Sequence, residues 1–180
     1  MRGKQHLAFG AACGLSIGIM LYDGPNVQMT QRAAIAAACC LGSLFPDIDI
    51  PESTIGRCVH PLSRVINRIF GHRGFVHSPL CAINLSLLLC VTISRMMPGL
   101  GSAIGGGFLL GYAGHLVQDS CTARGVRWLW PLHHCFHIPF LYAGKESVLR
   151  YWAVTAFLCV IFILPLFYRR YLSDIIFMYN

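Results

Sequence analysis

With 180 residues, of which 56% are hydrophobic and only 12% charged, and a mean hydropathy of +0.60, the chain carries more apolar surface than a soluble domain of this size needs for a core. That composition argues against an ordinary cytosolic domain and for a chain that lives in a bilayer. A net charge of +7 and a pI near 9.1 raise nucleic acid as a partner, but the basic residues are dispersed between apolar segments, with no aromatic platform and no basic helix; anionic membrane lipid accounts for them, and direct nucleic-acid binding is not expected.

The first apolar run, residues 7–22, follows Arg2 and Lys4 and opens just after His6. Its outline is that of a signal peptide, but Asp23-Gly24-Pro25-Asn26 is a turn without a small-x-small cleavage site, so the segment is expected to be retained. Residues 33–45 form a second run. Both are shorter than the roughly 20 residues that a hydrocarbon core of about 30 Å demands. Gly10, Ala11, Gly14 and Gly18 would let such a helix pack closely inside a bundle; the alternative is a membrane-attached bundle whose true spans are the three longer runs, 78–97, 100–117 and 152–167.

After the second run comes Pro46-Asp47-Ile48-Asp49-Ile50-Pro51. Flanking prolines predict extended backbone, and a two-residue period then points Asp47 and Asp49 to the same side. Adjacent carboxylates repel, and a cation between them relieves the conflict; solvated capping aspartates are the ordinary alternative. Residues 61–70 read as a short amphipathic helix, with Leu62, Val65, Ile66 and Ile69 on one side and Arg64, Asn67 and Arg68 on another, suited to the headgroup layer. Next, Gly71-His72-Arg73-Gly74 leads to His77-Ser78-Pro79, where glycines let the chain turn both imidazoles inward and Ser78 and Pro79 start a helix. Arg73 is suited to gripping an anionic substrate group.

The fourth run ends in His115 and Asp119, four apart and therefore on one helix face. An ionisable pair at the edge of a membrane helix is costly unless paired, coordinated or hydrated; Asp119 receiving hydrogen bonds from Thr122 and Arg124 is the plainer reading. Beyond it, Trp128, Trp130 and Phe136 fit an interfacial anchor. His133 and His137 would share a face of a helix, beside His134, but Pro139 and the lack of nearby carboxylates favour headgroup contact over a second metal site. The nine cysteines lack any C-x-x-C spacing, so they read as small hydrophobes or thiols in a reducing compartment.

Topology gathers these pieces. With a cytoplasmic N-terminus most Lys and Arg lie inside, as the positive-inside rule prefers, and Arg32, Arg95, Arg169 and Arg170 lie outside. His6, Asp47, Asp49, His72, His77, His115 and Asp119 then meet on the cytoplasmic face. Four imidazoles and three carboxylates without a thiolate favour Zn, or Mn or Fe, in a hydrolytic role over a structural zinc knot. Seven candidates exceed one tetrahedral shell, so either two ions are held or some of the seven serve as base and supporting partners.

Together, His6, Phe45-Pro46-Asp47-Ile48-Asp49, Gly71-His72-Arg73-Gly74 with His77-Ser78, and Gly114-His115-Leu116 with Asp119, Thr122, Gly125 and a Trp-Pro pair resemble the YdjM family, bacterial and archaeal inner-membrane proteins described as metal-dependent hydrolases and labelled LexA-binding. The resemblance runs through Pro131. It implies metal ligation by the same seven residues and an all-helical relation to zinc-dependent phospholipase C proteins; it supplies no substrate. The expectation is an all-α, multi-pass bundle of about four to five transmembrane helices with interfacial helices, forming one domain over residues 1–180 of a bacterial inner-membrane protein. Its expected activity is hydrolysis of a lipid or amphiphilic phosphoester: the divalent metal lowers the pKa of a bound water to about 7, Asp49 or Asp119 takes its proton, and Arg73 with Arg124 or Arg127 steadies the anion. A metal or proton transporter and a noncatalytic scaffold that binds a cytoplasmic protein through the long loops are the alternatives; transport sites lie nearer the midplane than this cluster.

Overall fold

The computed structural model describes residues 3–20, 29–132, 134–138 and 148–179. Its architecture is helical: α1 (Gly3–Met20), α2 (Met29–Leu44), α3 (Thr54–Cys58), α4 (His60–Phe70), α5 (Pro79–Met96), α6 (Gly101–Ser120) and α7 (Val148–Tyr179), with 3-10 turns at Phe45–Asp49 and Phe75–His77. The turn at residues 23–26, His133, Lys145 and Arg2 lie outside the described residues.

Local chemistry sets the boundaries. Ser78 caps α5 by accepting from the Cys81 N–H at 3.2 Å, and Pro79 occupies the first turn, where its missing N–H costs nothing. The expected amphipathic helix is α4; it ends at Gly71, whose φ of 68° suits glycine. α7 runs well past the expected 152–167 and carries Pro165 in its interior. Residues 134–138, His137 among them, are not helical as expected, because Phe136 pairs in an antiparallel bridge with Val126. His134 and His137 are exposed there. Trp128 is anchored inward by its indole N–H to Ser120 Oγ (2.8 Å).

Two of the described helices are long and apolar enough to cross a membrane, Pro79–Met96 and the stretch Val148–Leu172. Both turn large apolar side chains outward, among them Leu87, Leu88 and Val91 on α5 and Leu149, Val160 and Leu164 on α7. Gln5, His6, Asp49, His77, His115, Gln118 and Asp119 are buried instead. This arrangement, apolar outside and polar inside, is what a hydrocarbon solvent selects.

α6 is the central helix. It packs against α2 most extensively and also against α5 and α1, while α7 leans on α1. The α2–α6 seam depends on two glycines: a Cβ on Gly111 would run into the Cys39 carbonyl, and one on Gly42 into the Phe108 carbonyl. Because both obstacles are backbone, neither can move aside cheaply. Gly111→Ala is therefore expected to lower stability by about 1–3 kcal/mol through overpacking. Gly106→Ala, where an added Cβ meets nothing within 4 Å, should be neutral or stabilising by up to about 1 kcal/mol from helix propensity. Thermal unfolding of the two variants in detergent checks the contrast.

Candidate metal centre

All seven residues singled out in the sequence converge at one end of the bundle. α1 begins there with His6, α2 ends there and leads into Asp47 and Asp49, α5 begins there after His77, and α6 ends there with His115 and Asp119. Three overlapping groups have donor atoms within 4.8 Å of one another: His6, Asp47 and His115; Asp49, His72 and His77; and His77, His115 and Asp119.

The two aspartates of the Pro46 segment do not point the same way. The segment is a 3-10 turn rather than an extended strand, with Pro46 in its first turn, since the fixed φ of proline suits a helical start as well as extended chain. The Asp47 carbonyl accepts both the Ile50 N–H (3.0 Å) and the Ser53 hydroxyl (2.7 Å), which closes the turn. With three residues per turn, positions two apart diverge. Asp47 consequently joins His6 and His115, while Asp49 joins His72 and His77.

Asp49 is enclosed by the Gly71–Gly74 turn. Arg73, at a positive φ of 61°, aims its backbone N–H at Asp49 Oδ2 (3.0 Å). His72 Nδ1 lies 3.2 Å from Oδ1; as the carboxylate can only accept, Nδ1 donates. His77 Nδ1 lies 3.0 Å from Oδ2, though out of line for a hydrogen bond. Burial alone would raise the Asp49 pKa, but these two imidazoles hold it well below the usual carboxylate range. Asn67 on α4 donates to the Asp49 carbonyl at 2.7 Å, tying the amphipathic helix to the site.

Asp119 sits at the centre. Its Oδ2 pairs with Arg73 Nη2 at 2.9 Å and lies 3.9 Å from both His77 Nε2 and His115 Nε2; its Oδ1 is 3.5 Å from His6 Nε2. The Arg73 guanidinium, expected to face a substrate anion, thus faces Asp119, and its Nη1 also donates to Thr122 Oγ1 (3.1 Å) and the Gly125 carbonyl (2.7 Å). Arg124 is exposed on the following turn. Thr122 donates to the Asp119 backbone carbonyl, not to its carboxylate.

His115 shows what the cluster can hold. Its Nδ1 lies 2.7 Å from the Ser43 carbonyl, an acceptor only, so Nδ1 carries the proton. Nε2 of the neutral ring then turns a lone pair toward Asp47 Oδ1 at 3.8 Å and Asp119 Oδ2 at 3.9 Å. Those distances exceed hydrogen-bond length. Both ring nitrogens of His6 and of His77 are likewise buried without a hydrogen bond, and the His6 and His115 rings stack at 3.8 Å. Among the described residues of the cluster, three carboxylates outnumber the one guanidinium. Imidazole nitrogens and carboxylate oxygens with this excess fit a divalent cation, and the His115–Ser43 bond is the outer partner that fixes a ligating tautomer.

A family model described as YdjM inner membrane protein matches residues 1–175. The chain belongs to the YdjM family. It is 34% identical over 158 residues to "Inner membrane protein YdjM" of Escherichia coli (strain K12), covering 83% of this chain and 76% of that one. Similarity extends to "Uncharacterized protein YvsG" of Bacillus subtilis (strain 168), 34% identical over 131 residues with 73% and 74% covered. A shorter match reaches "Inner membrane protein YbcI" of Escherichia coli (strain K12), 35% identical over 92 residues and 49% of each chain. No solved structure matches.

Sequence reasoning had no access to the partners that orient the YdjM-family residues here. Ser43 contributes a backbone carbonyl, which no side-chain pattern reveals. Asn67 looks like an ordinary helix-face residue, and Thr122, expected to serve Asp119, also accepts from Arg73, which its position did not signal; only the glycines around Arg73 signal an unusual backbone there. Removing one member of the buried Arg73–Asp119 pair strands the other, a loss of about 3–5 kcal/mol. In metal-free protein, Arg73→Met is expected to show that loss and Arg73→Met with Asp119→Asn to recover much of it. A double-mutant cycle by thermal unfolding in detergent measures the coupling.

Proposed function

We propose that this chain is a metal-dependent hydrolase of the bacterial inner membrane that cleaves a phosphoester of a lipid or other amphiphile at the cytoplasmic face. One observation carries the reading: His115 Nε2, buried and deprived of a proton by the Ser43 contact, faces two carboxylates at distances that suit a shared cation and not a hydrogen bond. The names of the relatives support the membrane assignment, and the distribution of Lys and Arg supports the cytoplasmic face. On this reading α1, α2, α5, α6 and α7 cross the bilayer and α4 lies in the headgroup layer.

His6, Asp47, Asp49, His72, His77, His115 and Asp119 would hold one or two divalent ions, zinc being best matched to the donors. A divalent metal supplies Lewis acidity toward a phosphoryl oxygen. Around it, Asp119 takes the proton of the attacking water while Arg73 holds its Oδ2. Asp49 keeps His72 oriented by accepting from its Nδ1–H. His72, with 29% of its side chain exposed, stands nearest to solvent among the four histidines of the cluster, whereas His6, His77 and His115 are sealed from it. Asp47 in turn lines an open polar recess, so the arriving substrate meets the cluster there or at His72.

Purified protein should contain divalent metal by elemental analysis and should hydrolyse a member of a phospholipid and lysophospholipid panel. Chelation should abolish both, and zinc or manganese should restore them. Asp47→Ala with Asp119→Ala should reduce turnover at least a hundredfold per folded molecule, with the thermal midpoint lowered by the stranded Arg73. Metal-free protein as isolated, or unchanged turnover in the double variant, rejects the proposal; metal uptake into proteoliposomes without hydrolysis identifies a transporter.

A further inference from the structure

Outside the buried cluster, the structure has a polar recess and an apolar groove that share one wall residue. The recess, about 370 Å³, is lined by Asp47 of the cluster together with Gly3, Glu52, Ser53, Thr54 and Arg57. The groove, about 320 Å³, lies between α2 and α5 and is lined only by apolar side chains, including Leu41, Phe45, Leu85, Leu88 and Phe108. Ile55 on α3 lines both.

The groove arises from helix packing. α2 and α5 each pack on α6, but they are not among the substantially packed pairs with each other, so α6 forms a floor between two walls. On the floor lie Ile104 and Phe108. From Phe45 back to Ala38 the α2 wall covers two turns, about 10 Å. The rims are open: Leu41 is 58% and Leu88 62% exposed. In a bilayer such a slot opens sideways to the acyl chains of one leaflet. Its upper end, by contrast, meets hydroxyls, the Arg57 guanidinium and the Asp47 carboxylate within one side chain's breadth of Ile55.

We infer that the α2/α5 groove is the acyl subsite of a phospholipid whose phosphoryl head lies in the Asp47–Arg57 recess, so that the substrate enters laterally from the membrane with one chain in the slot. Rivals for the slot are a second copy of this chain or nonspecific bulk lipid. Continuity with the recess favours a headgroup-bearing lipid, because an occupant held only by apolar contact has no reason to end at Asp47. The phosphoryl position rests on the metal reading above, since Asp47 and Glu52 would repel an anion without a cation at the cluster; the groove itself does not. Ile55 is the selecting residue. It marks where headgroup ends and chain begins, and volume added there blocks the passage.

The test uses the full chain in phosphatidylcholine nanodiscs doped with a phosphatidic acid bearing a diazirine in one acyl chain. After irradiation, mass spectrometry should find labels on Leu41, Leu85 and Phe108 at least fivefold above those on Leu149 and Leu164, which face lipid on α7. Unlabelled phosphatidic acid should compete; a fatty alcohol should not. Ile55→Trp should abolish the groove labels with an unchanged thermal midpoint, and Leu41→Trp at the exposed rim is the second variant should the first not fold. Equal labelling on α7, or no effect of either tryptophan, overturns the proposal in favour of bulk lipid, and Leu41→Cys with Leu88→Cys cross-linking between copies overturns it in favour of a dimer. Groove labelling without hydrolysis leaves the subsite standing and removes the hydrolase; hydrolysis of a short soluble phosphoester without groove labelling does the reverse.

Discussion

Burying Asp47, Asp49 and Asp119 at one end of an apolar bundle carries a desolvation cost of several kcal/mol per ion, and most of the local architecture compensates that charge. Arg73 pairs with Asp119, its own backbone N–H serves Asp49, and four imidazoles fill the space between the carboxylates. The compensation is distributed over the chain. Residues from α1, α2 and its following turn, the His72–His77 segment and α6 each supply one part, so the site exists only when these elements are assembled. An arrangement with more carboxylates than guanidinium among the described residues, and several imidazole nitrogens without hydrogen bonds, is a poor solution for a structural core and a good one for a cation.

The assembly is held by the α2–α6 seam. His115 lies on α6 and donates to the Ser43 carbonyl on α2, so the distance between these helices sets both the tautomer of His115 and its separation from Asp47. Small residues make that distance short: Gly42 and Gly111 each face backbone of the opposite helix. A bulkier seam would move Asp47 and Asp49 away from His115 and Asp119 together, because both aspartates ride on the end of α2. Packing and chemistry are therefore coupled through a few missing side chains.

Much of this was legible in the sequence for definite reasons. His115 and Asp119 are locked to one face by helical spacing, and up-and-down alternation of consecutive helices brings the start of α1, the end of α2, the start of α5 and the end of α6 to one end of the bundle without knowledge of packing. Ser78-Pro79 and Gly71 mark helix boundaries through local sterics, which read directly from residue type. Asp47-Ile48-Asp49 misled because proline fixes one dihedral and leaves open whether the next residues extend or wind; the Ser53 hydroxyl six positions on decides it. Arg73 misled for a different reason: a guanidinium between two histidines looks available to an anion, and its pairing with Asp119 depends on a contact 46 positions distant, which spacing alone does not encode.

His6, His77 and His115 are sealed from solvent, and the helices around them turn apolar side chains outward, so a freely diffusing polar solute has little surface to recognise. Asp47 lines the polar recess, while α4 carries exposed Leu62, Val65 and Ile69 and is tied by Asn67 to the Asp49 carbonyl. Lipid against α4 and lipid in the slot beside Ile55 would approach the cluster from two sides. On the proposed reading the site would lie at the boundary between headgroup and chain, where an amphiphile would present its ester at the right depth, and orientation by the bilayer would replace part of the binding energy that a soluble enzyme must spend on positioning.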